Sequence, residues 1–275
     1  MRKRSIIGTV VFLFLLLTMV SWWDLKGRGV HDYGADNNNT VTAPEEIAKD
    51  HENKGSLLPD GQLRVHFIDV GQGDAILIQT PEKNVLIDGG ERGSTAVNYI
   101  QSQGITGLDL VIGTHPHSDH IGGLINVLQL LPVGEIIDPG VVHTTKTFEN
   151  YLTLIDKKDI KFTVGRTGLK RDLGGGAVMQ ILHPSSPSSA RLNDASIVAR
   201  VVFGSVSFLF TGDAESAAET EILNSGCDLT GTILKVGHHG SRKATTRAFL
   251  NAVKPEIAVI MCGRDNTYGY PHKET

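Results

Sequence analysis

The chain has 275 residues, 40% of them hydrophobic and 20% charged, with a formal net charge of −4. That balance excludes a global basic field steering nucleic acid to the whole protein. Roughly 210 residues follow Pro59, enough for one packed α/β core, and 31 glycines suit many short turns between strand and loop.

At the start, Met1-Arg2-Lys3-Arg4 precedes an uncharged, almost wholly apolar run that ends in Trp22-Trp23-Asp24. The run is near the shorter limit for crossing a bilayer. Its basic end is expected to stay cytoplasmic, with the tryptophans at the far interface. No small-x-small cleavage site follows and no cysteine offers a lipid anchor. An uncleaved single-pass signal anchor is therefore favoured over a secretory peptide removed on export. Residues 1–23 read as this membrane segment and 24–60, rich in Asn, Asp, Gly and Lys, as a flexible linker. Residues 61–275 read as one catalytic domain held outside the cell membrane. The stop at Lys273-Glu274-Thr275 falls where a closing helix is expected, so this end reads as truncated.

Within the domain, 65–70 and 75–80 are expected strands joined by the turn Gly71-Gln72-Gly73-Asp74, and 84–88 is a third. Asp69, Gln72 and Asp74 have catalytic side chains, yet a tight Gly-x-Gly turn is the better account of them. A helix over 94–103 leads to the buried strand 108–113 (LDLVIG) and then to THPHSDHIGG. Helices are expected over 122–131 and 147–157, with a strand over 161–164. A second β-rich half begins at 177–182, with His183-Pro184 opening a Ser/Pro-rich loop. Strands 197–203 and 206–210 follow, the latter running into Thr211-Gly212-Asp213. Strand 233–236 ends in Gly237-His238-His239-Gly240-Ser241. After a helix over 245–253, strand 257–261 leads to Tyr268-Gly269-Tyr270-Pro271-His272. Cys262 reads as a small core residue beside this last strand, and a disulfide to Cys227 is not asserted.

The sequence of strand, loop and ligand-type residue thus recurs four times, at the strand ends where α/β folds place their chemistry. His115, His117, Asp119 and His120 fall within six residues. Imidazole and carboxylate suit borderline divalent ions, and four such groups so close together cannot all face one centre. Two ions a few Å apart can use them all. Asp213, beside a glycine at a strand end, can approach both and bridge them. Lys235, Arg242, Lys243 and Arg247 flank the double histidine as a local anion site or, for the last three, as a solvated helix face.

The segments VHFIDVGQGDAILI, LIDGG, THPHSDHIGGL, NDAS, FLFTGDAE, LKVGHHGS and YGYPHKE, in this order, resemble the metallo-β-lactamase-fold hydrolases. They are most similar to the hydrolase domain of the competence DNA-uptake channel proteins (ComEC-type) and their stand-alone relatives. The resemblance covers residue 63 to the end and implies a four-layer αββα sandwich with the site at the shared sheet edge. It implies two divalent ions, Zn2+ or Mn2+. His115 and His117 are assigned to one ion, Asp119 and His120 to the other, and Asp213 to the bridge. One of His238 and His239 completes the second ion. His239 is preferred as ligand, leaving His238 to donate a proton to the leaving oxygen. Asp119 is the alternative catalytic group, orienting or deprotonating the attacking water. Asp194 stands where most relatives carry a histidine ligand, as a substitute oxygen ligand, a site organiser or, with Asn193, a turn cap. Tyr270 stands where relatives show the first histidine of YGHPH, which leaves only His272 there.

These residues imply a membrane-anchored, metal-dependent hydrolase of phosphoesters, either nucleic-acid phosphodiesters or polymers of the cell envelope. The alternatives are a phosphocholine esterase of teichoic acids and, from another class, a non-catalytic metal-binding module. A β-lactamase fits less well than a phosphoesterase. No protein partner is inferred.

Overall fold

In the computed structural model, residues 58–186 and 191–275 are described. The expected anchor and almost all of the expected linker lie outside them. Among the described residues no helix is long and apolar enough to cross a membrane.

Short apolar runs separated by glycine turns build two six-stranded sheets. The first takes β1 (Arg64–Phe67), β2 (Ile76–Gln79), β3 (Asn84–Ile87), β4 (Leu108–Ile112), β5 (Val133–Asp138) and β6 (Lys161–Val164) in that spatial order. Antiparallel hairpins join β1 to β3, and from β3 onward every pair is parallel. Parallel neighbours need crossovers, supplied here by helices α1 (Thr95–Ser102), α2 (Ser118–Ile121), α3 (Leu124–Leu130) and α4 (Lys146–Lys157). The second sheet runs β7 (Lys170–Gly174), β8 (Ala177–His183), β9 (Val198–Phe203), β10 (Val206–Phe210), β11 (Ile233–Lys235) and β12 (Ile257–Val259). It is antiparallel up to β10 and parallel beyond, with α5 (Ser216–Asn224) and α6 (Arg247–Val253) as crossovers.

The period-2 alternation of each strand sorts the apolar residues into three cores. Ile76, Ile78, Val85, Ile87 and Ile112 face the second sheet and pack with Met179, Ile181, Val201 and Phe210. The intervening Leu77, Leu86 and Val111 face outward under Val97, Leu124, Val127, Phe148 and Tyr151. On the far side Leu209 and Leu234 pack under Ala218, Ile222, Phe249 and Val253. Helix, sheet, sheet, helix is the four-layer sandwich that the motifs imply.

Three elements had no clear sequence signal. Strand β5 (VGEIID) is interrupted by Gly134-Glu135; a Cβ at 134 would lie 2.8 Å from the Asp109 carbonyl oxygen. Strand β7 (KRDLG) is a charged sheet edge without apolar alternation. Helix α5 (SAAETEILN) has only a weak apolar stripe. The helix expected over 122–131 is also divided. It begins early, at Ser118, and turns at Gly122-Gly123, where a Cβ on Gly123 would meet the Gly89 carbonyl oxygen at 1.9 Å.

Candidate metal centre

The site lies where the ends of both sheets meet, and each ligand-type residue sits just beyond a buried strand. Asp88 follows β3 in a left-handed conformation (φ 57°). That turn aims its carboxylate at the loop after β4, where it accepts the Thr114 amide (2.8 Å), the Thr114 hydroxyl (2.7 Å) and His120 Nδ1 (2.8 Å). His120 then faces inward, its Nε2 lying 3.2 Å from Asp213 Oδ1. From the other sheet, His239 Nδ1 donates to the Met261 carbonyl at 2.9 Å. Its Nε2 lies 3.3 Å from Asp119 Oδ2 and 3.4 Å from Asp213 Oδ1. His115 Nε2 lies 2.9 Å from His117 Nδ1 and 3.8 Å from Asp213 Oδ2.

Two groups of donor atoms result, each lying within 4.8 Å of one another: Asp74, His120, Asp213 and His239, and His115, His117 and Asp213. Asp213 belongs to both, one oxygen toward each.

The electrostatics match that convergence. Burial works against charge on His239, but the carboxylates of Asp213, Asp119 and Asp74 outweigh it and push the ring up to about 12. His120 is likewise held well above its ordinary range: burial is overcome by Asp213, Asp88 and Asp119. Burial and the neighbouring His120 hold His115 well below it. Burial would raise Asp213, yet the His120 and His239 rings keep it well below the carboxylate range. The pocket therefore draws positive charge toward Asp213.

The donor set fits a metal. A carbonyl only accepts, so His239 Nδ1 carries a hydrogen and a neutral ring presents a lone pair at Nε2. That lone pair faces two carboxylate oxygens. Buried His120 Nε2, His239 Nε2 and Asp213 Oδ1 all lack hydrogen-bond partners. The raised hold of these rings on a proton marks a point that draws positive charge, which a divalent ion would supply in the proton's place. The partners on the opposite ring edges, the Asp88 carboxylate and the Met261 carbonyl, orient the imidazoles as outer-shell groups do in metal sites.

The structure brings together His115, His117, Asp119, His120, Asp213 and His239, and it adds two residues. Asp88 appeared only at the end of the expected strand 84–88 and within LIDGG, with no chemical role attached. Asp74, assigned to a Gly-x-Gly turn, belongs to the first group. Its Oδ1 lies 3.4 Å from His239 Nδ1 and its Oδ2 4.0 Å from His120 Nδ1, so it faces the ring edges turned away from Asp213. The buried Lys235 is ion-paired to Asp74 and donates to the Gly212 carbonyl at 3.0 Å. Lys235 is therefore no part of a surface anion site, which corrects that expectation. Asp69 remains a turn residue, accepting from the Gly71 amide at 3.1 Å.

Asp194 is a second correction, because neither donor group includes it. Its Oδ1 accepts the backbone amides of Glu215 (3.1 Å) and Ala218 (3.2 Å), capping the start of α5. Capping there needs a helix that the sequence pattern left unmarked, so the carboxylate read equally well as a ligand.

His238 and His239 both take positive φ (45° and 55°), which sends adjacent rings in different directions. His239 is buried, whereas His238 stands at the rim. There its Nδ1 contacts Glu215 Oε1 at 2.9 Å, and its Nε2 lies 3.2 Å from the Tyr270 hydroxyl and 3.7 Å from Asp213 Oδ2. Tyr270 thus lines the site. His272 does not enter either donor group; its Nδ1 accepts the Arg242 amide at 3.1 Å. His183 Nδ1 donates to the Ser196 carbonyl at 3.0 Å, a structural contact away from the centre. Both cysteines are free, and Cys262 is half-buried. A cavity of about 380 Å³, bordered by Asp119, Asp213, His238, His239, Tyr268 and Tyr270, opens above the donors.

The family model described as the metallo-beta-lactamase superfamily matches residues 68–264. ComE operon protein 3 of Bacillus subtilis is 30% identical over 238 residues, covering 76% of this chain and 30% of that protein. Competence protein ComA of Neisseria gonorrhoeae is 29% identical over 218 residues, covering 78% of this chain and 29% of that protein. The chain therefore spans less than a third of the length of these relatives. The metallo-beta-lactamase fold protein YhfI from Bacillus subtilis superimposes with a TM-score of 0.49 at 16% identity, covering 78% of this chain and 92% of that one.

Proposed function

Because the chain belongs to the metallo-beta-lactamase superfamily, we propose that it is a dinuclear metal-dependent phosphodiester hydrolase held at the outer face of the cell membrane by its N-terminal segment. The carrying observation is Asp213, whose two oxygens face separate donor groups, one of which holds two buried nitrogens without hydrogen-bond partners. His115 and His117 would hold one ion, and His120, His239 and Asp119 the other. A donor set of nitrogen and oxygen without thiolate suits Zn2+ or Mn2+. Divalent ions there supply Lewis acidity, acidifying water for attack and neutralising charge that grows on phosphoryl oxygens. Asp119, on the cavity wall, orients the attacking water. His238, steadied by Glu215, presents Nε2 to the cavity and donates a proton to the departing oxygen. The resemblance to DNA-uptake channel proteins supports a nucleic acid as the phosphodiester.

A second reading, a metal-binding module without turnover, is favoured by one observation: Tyr270 occupies the site where a histidine is expected. Metal content measured together with hydrolysis of bis(p-nitrophenyl) phosphate separates the two. Two ions per chain with turnover, abolished in a folded Asp213→Ala variant, supports the hydrolase. Bound metal without turnover supports the module.

A further inference from the structure

The metal cavity does not end at the donors. His117 and Asn193 line both it and a second cleft of about 660 Å³, which continues to Arg191, Ser216, Arg242 and Lys243. In a chain of net charge −4 this cleft carries three cations against one carboxylate, Glu215. That carboxylate is occupied by His238 Nδ1 at 2.9 Å and by the Asn193 amide at 3.3 Å. Among the described residues neither the Arg242 guanidinium nor the Lys243 ammonium has an ion-pair partner, and both are exposed. Arg191 has only a loose contact, 3.7 Å from Asp194 Oδ2. Unpaired cations beside a site for charged esters form an anion subsite.

Tyr268, which lines the metal cavity but not the cationic cleft, is 62% exposed. Its ring stacks on Tyr270 at 5.4 Å and 14°, and both line the metal cavity. Tyr270 holds the Tyr268 ring in place, leaving its outer face open to a planar group.

We propose that a single-stranded nucleic acid crosses this site, with a base stacked on Tyr268, the scissile phosphate over Asp213, and the following phosphate in the cleft of Arg191, Arg242 and Lys243. The inference depends on the hydrolase reading only for the scissile position. Aromatic platforms recognise bases in single strands, whereas duplexes hide them. A polyol-phosphate polymer of the envelope would use the cations but has nothing to stack on the tyrosine.

The test reads binding apart from hydrolysis. The full chain, stripped of metal in mild detergent, is titrated into a labelled oligothymidine of about twelve nucleotides, and anisotropy is followed across a salt series. Arg242→Glu/Lys243→Glu should weaken binding at least tenfold and lower the log–log salt slope by about 0.7, the loss of one single-strand phosphate contact. Arg242→Gln/Lys243→Gln should show the same direction and guards against misfolding of the charge reversal. Tyr268→Ala should weaken oligothymidine binding about tenfold while leaving competition by poly(glycerol phosphate) unchanged. An unaltered slope in both double variants overturns the subsite. Equal loss of both ligands in Tyr268→Ala, or stronger competition by poly(glycerol phosphate) than by oligothymidine, overturns the nucleic acid in favour of an envelope polymer. Failure of the metal-loaded protein to cleave bis(p-nitrophenyl) phosphate would instead sink the hydrolase reading, and these binding results would stand separately.

Discussion

His120 Nδ1 and Asp88 Oδ2 lie 2.8 Å apart, so an aspartate at the end of β3 sets the orientation of a ring on α2. The same carboxylate also accepts the Thr114 amide and hydroxyl. Asp88→Ala should therefore weaken metal binding about 10- to 100-fold, the usual cost of losing such a partner. It should also destabilise the fold by on the order of 1–3 kcal/mol through the orphaned Thr114 donors. Competition with a chelator reads the first effect and denaturant titration the second. Unchanged affinity would show that Asp88 does not orient the ring.

Lys235 is fully buried against Asp74. Burial alone would raise the Asp74 carboxyl, but the Lys235 ammonium and His239 bring it below the ordinary value. Lys235→Met leaves that charge buried and unpaired, a change that costs on the order of 3–5 kcal/mol. The double variant Lys235→Met/Asp74→Asn should recover a large part of this. A double-mutant cycle of unfolding free energies checks the pair, and purely additive losses would contradict it.

Asp138 ends β5 almost wholly buried, and burial raises its carboxyl to about 7 despite the Gly140 amide at 2.7 Å. Its folded value lies above its unfolded one, so the folded state holds the proton more strongly. The resulting stability is full below pH ~4 and is lost as pH rises through about 7. A shift of this size corresponds to roughly 4 kcal/mol. Denaturation of Asp138→Asn across pH 4 to 8 should lack that decline. Parallel pH profiles for the variant and the parent would refute it.

Gly73 (φ 118°) has no room for a side chain: a Cβ would stand 2.0 Å from the Asp119 carbonyl oxygen. The adjacent Asp74 amide donates to that same oxygen at 3.2 Å. Gly73→Ala should thus push the β1–β2 turn away from Asp119, costing on the order of 3 kcal/mol. Metal affinity should fall with it, and calorimetric titration of metal into the variant tests this. A variant that binds as the parent does would show the turn to be independent of the site.

Much of this centre was legible because its ligands come in short runs. His115 to His120, the Asp213 turn and the double histidine each stand beside an apolar strand, and the layer order is implied by the resemblance that these runs carry, whereas strand periodicity alone gives only an α/β class. The supporting residues were not legible. Asp88 orients a ring 32 residues ahead of it, and no local pattern links the two. Asp74 sits in a turn whose glycines suffice to explain it locally, and its partner Lys235 lies in the other sheet. Asp194 was ambiguous until α5 supplied the amides it caps. Side chains that act through distant partners leave no periodic trace in sequence.

Both donor groups draw residues from each sheet: Asp74 and His120 against Asp213 and His239, and His115 and His117 against Asp213. An ion in either would act as a rivet, cross-linking two halves of the chain across loops of roughly a hundred residues. With both thiols free, such coordination would give this chain the kind of clasp that small extracellular domains obtain from disulfides. Loading with metal would then be part of folding as well as of catalysis, and a demetallated chain would loosen first along the seam between the sheets.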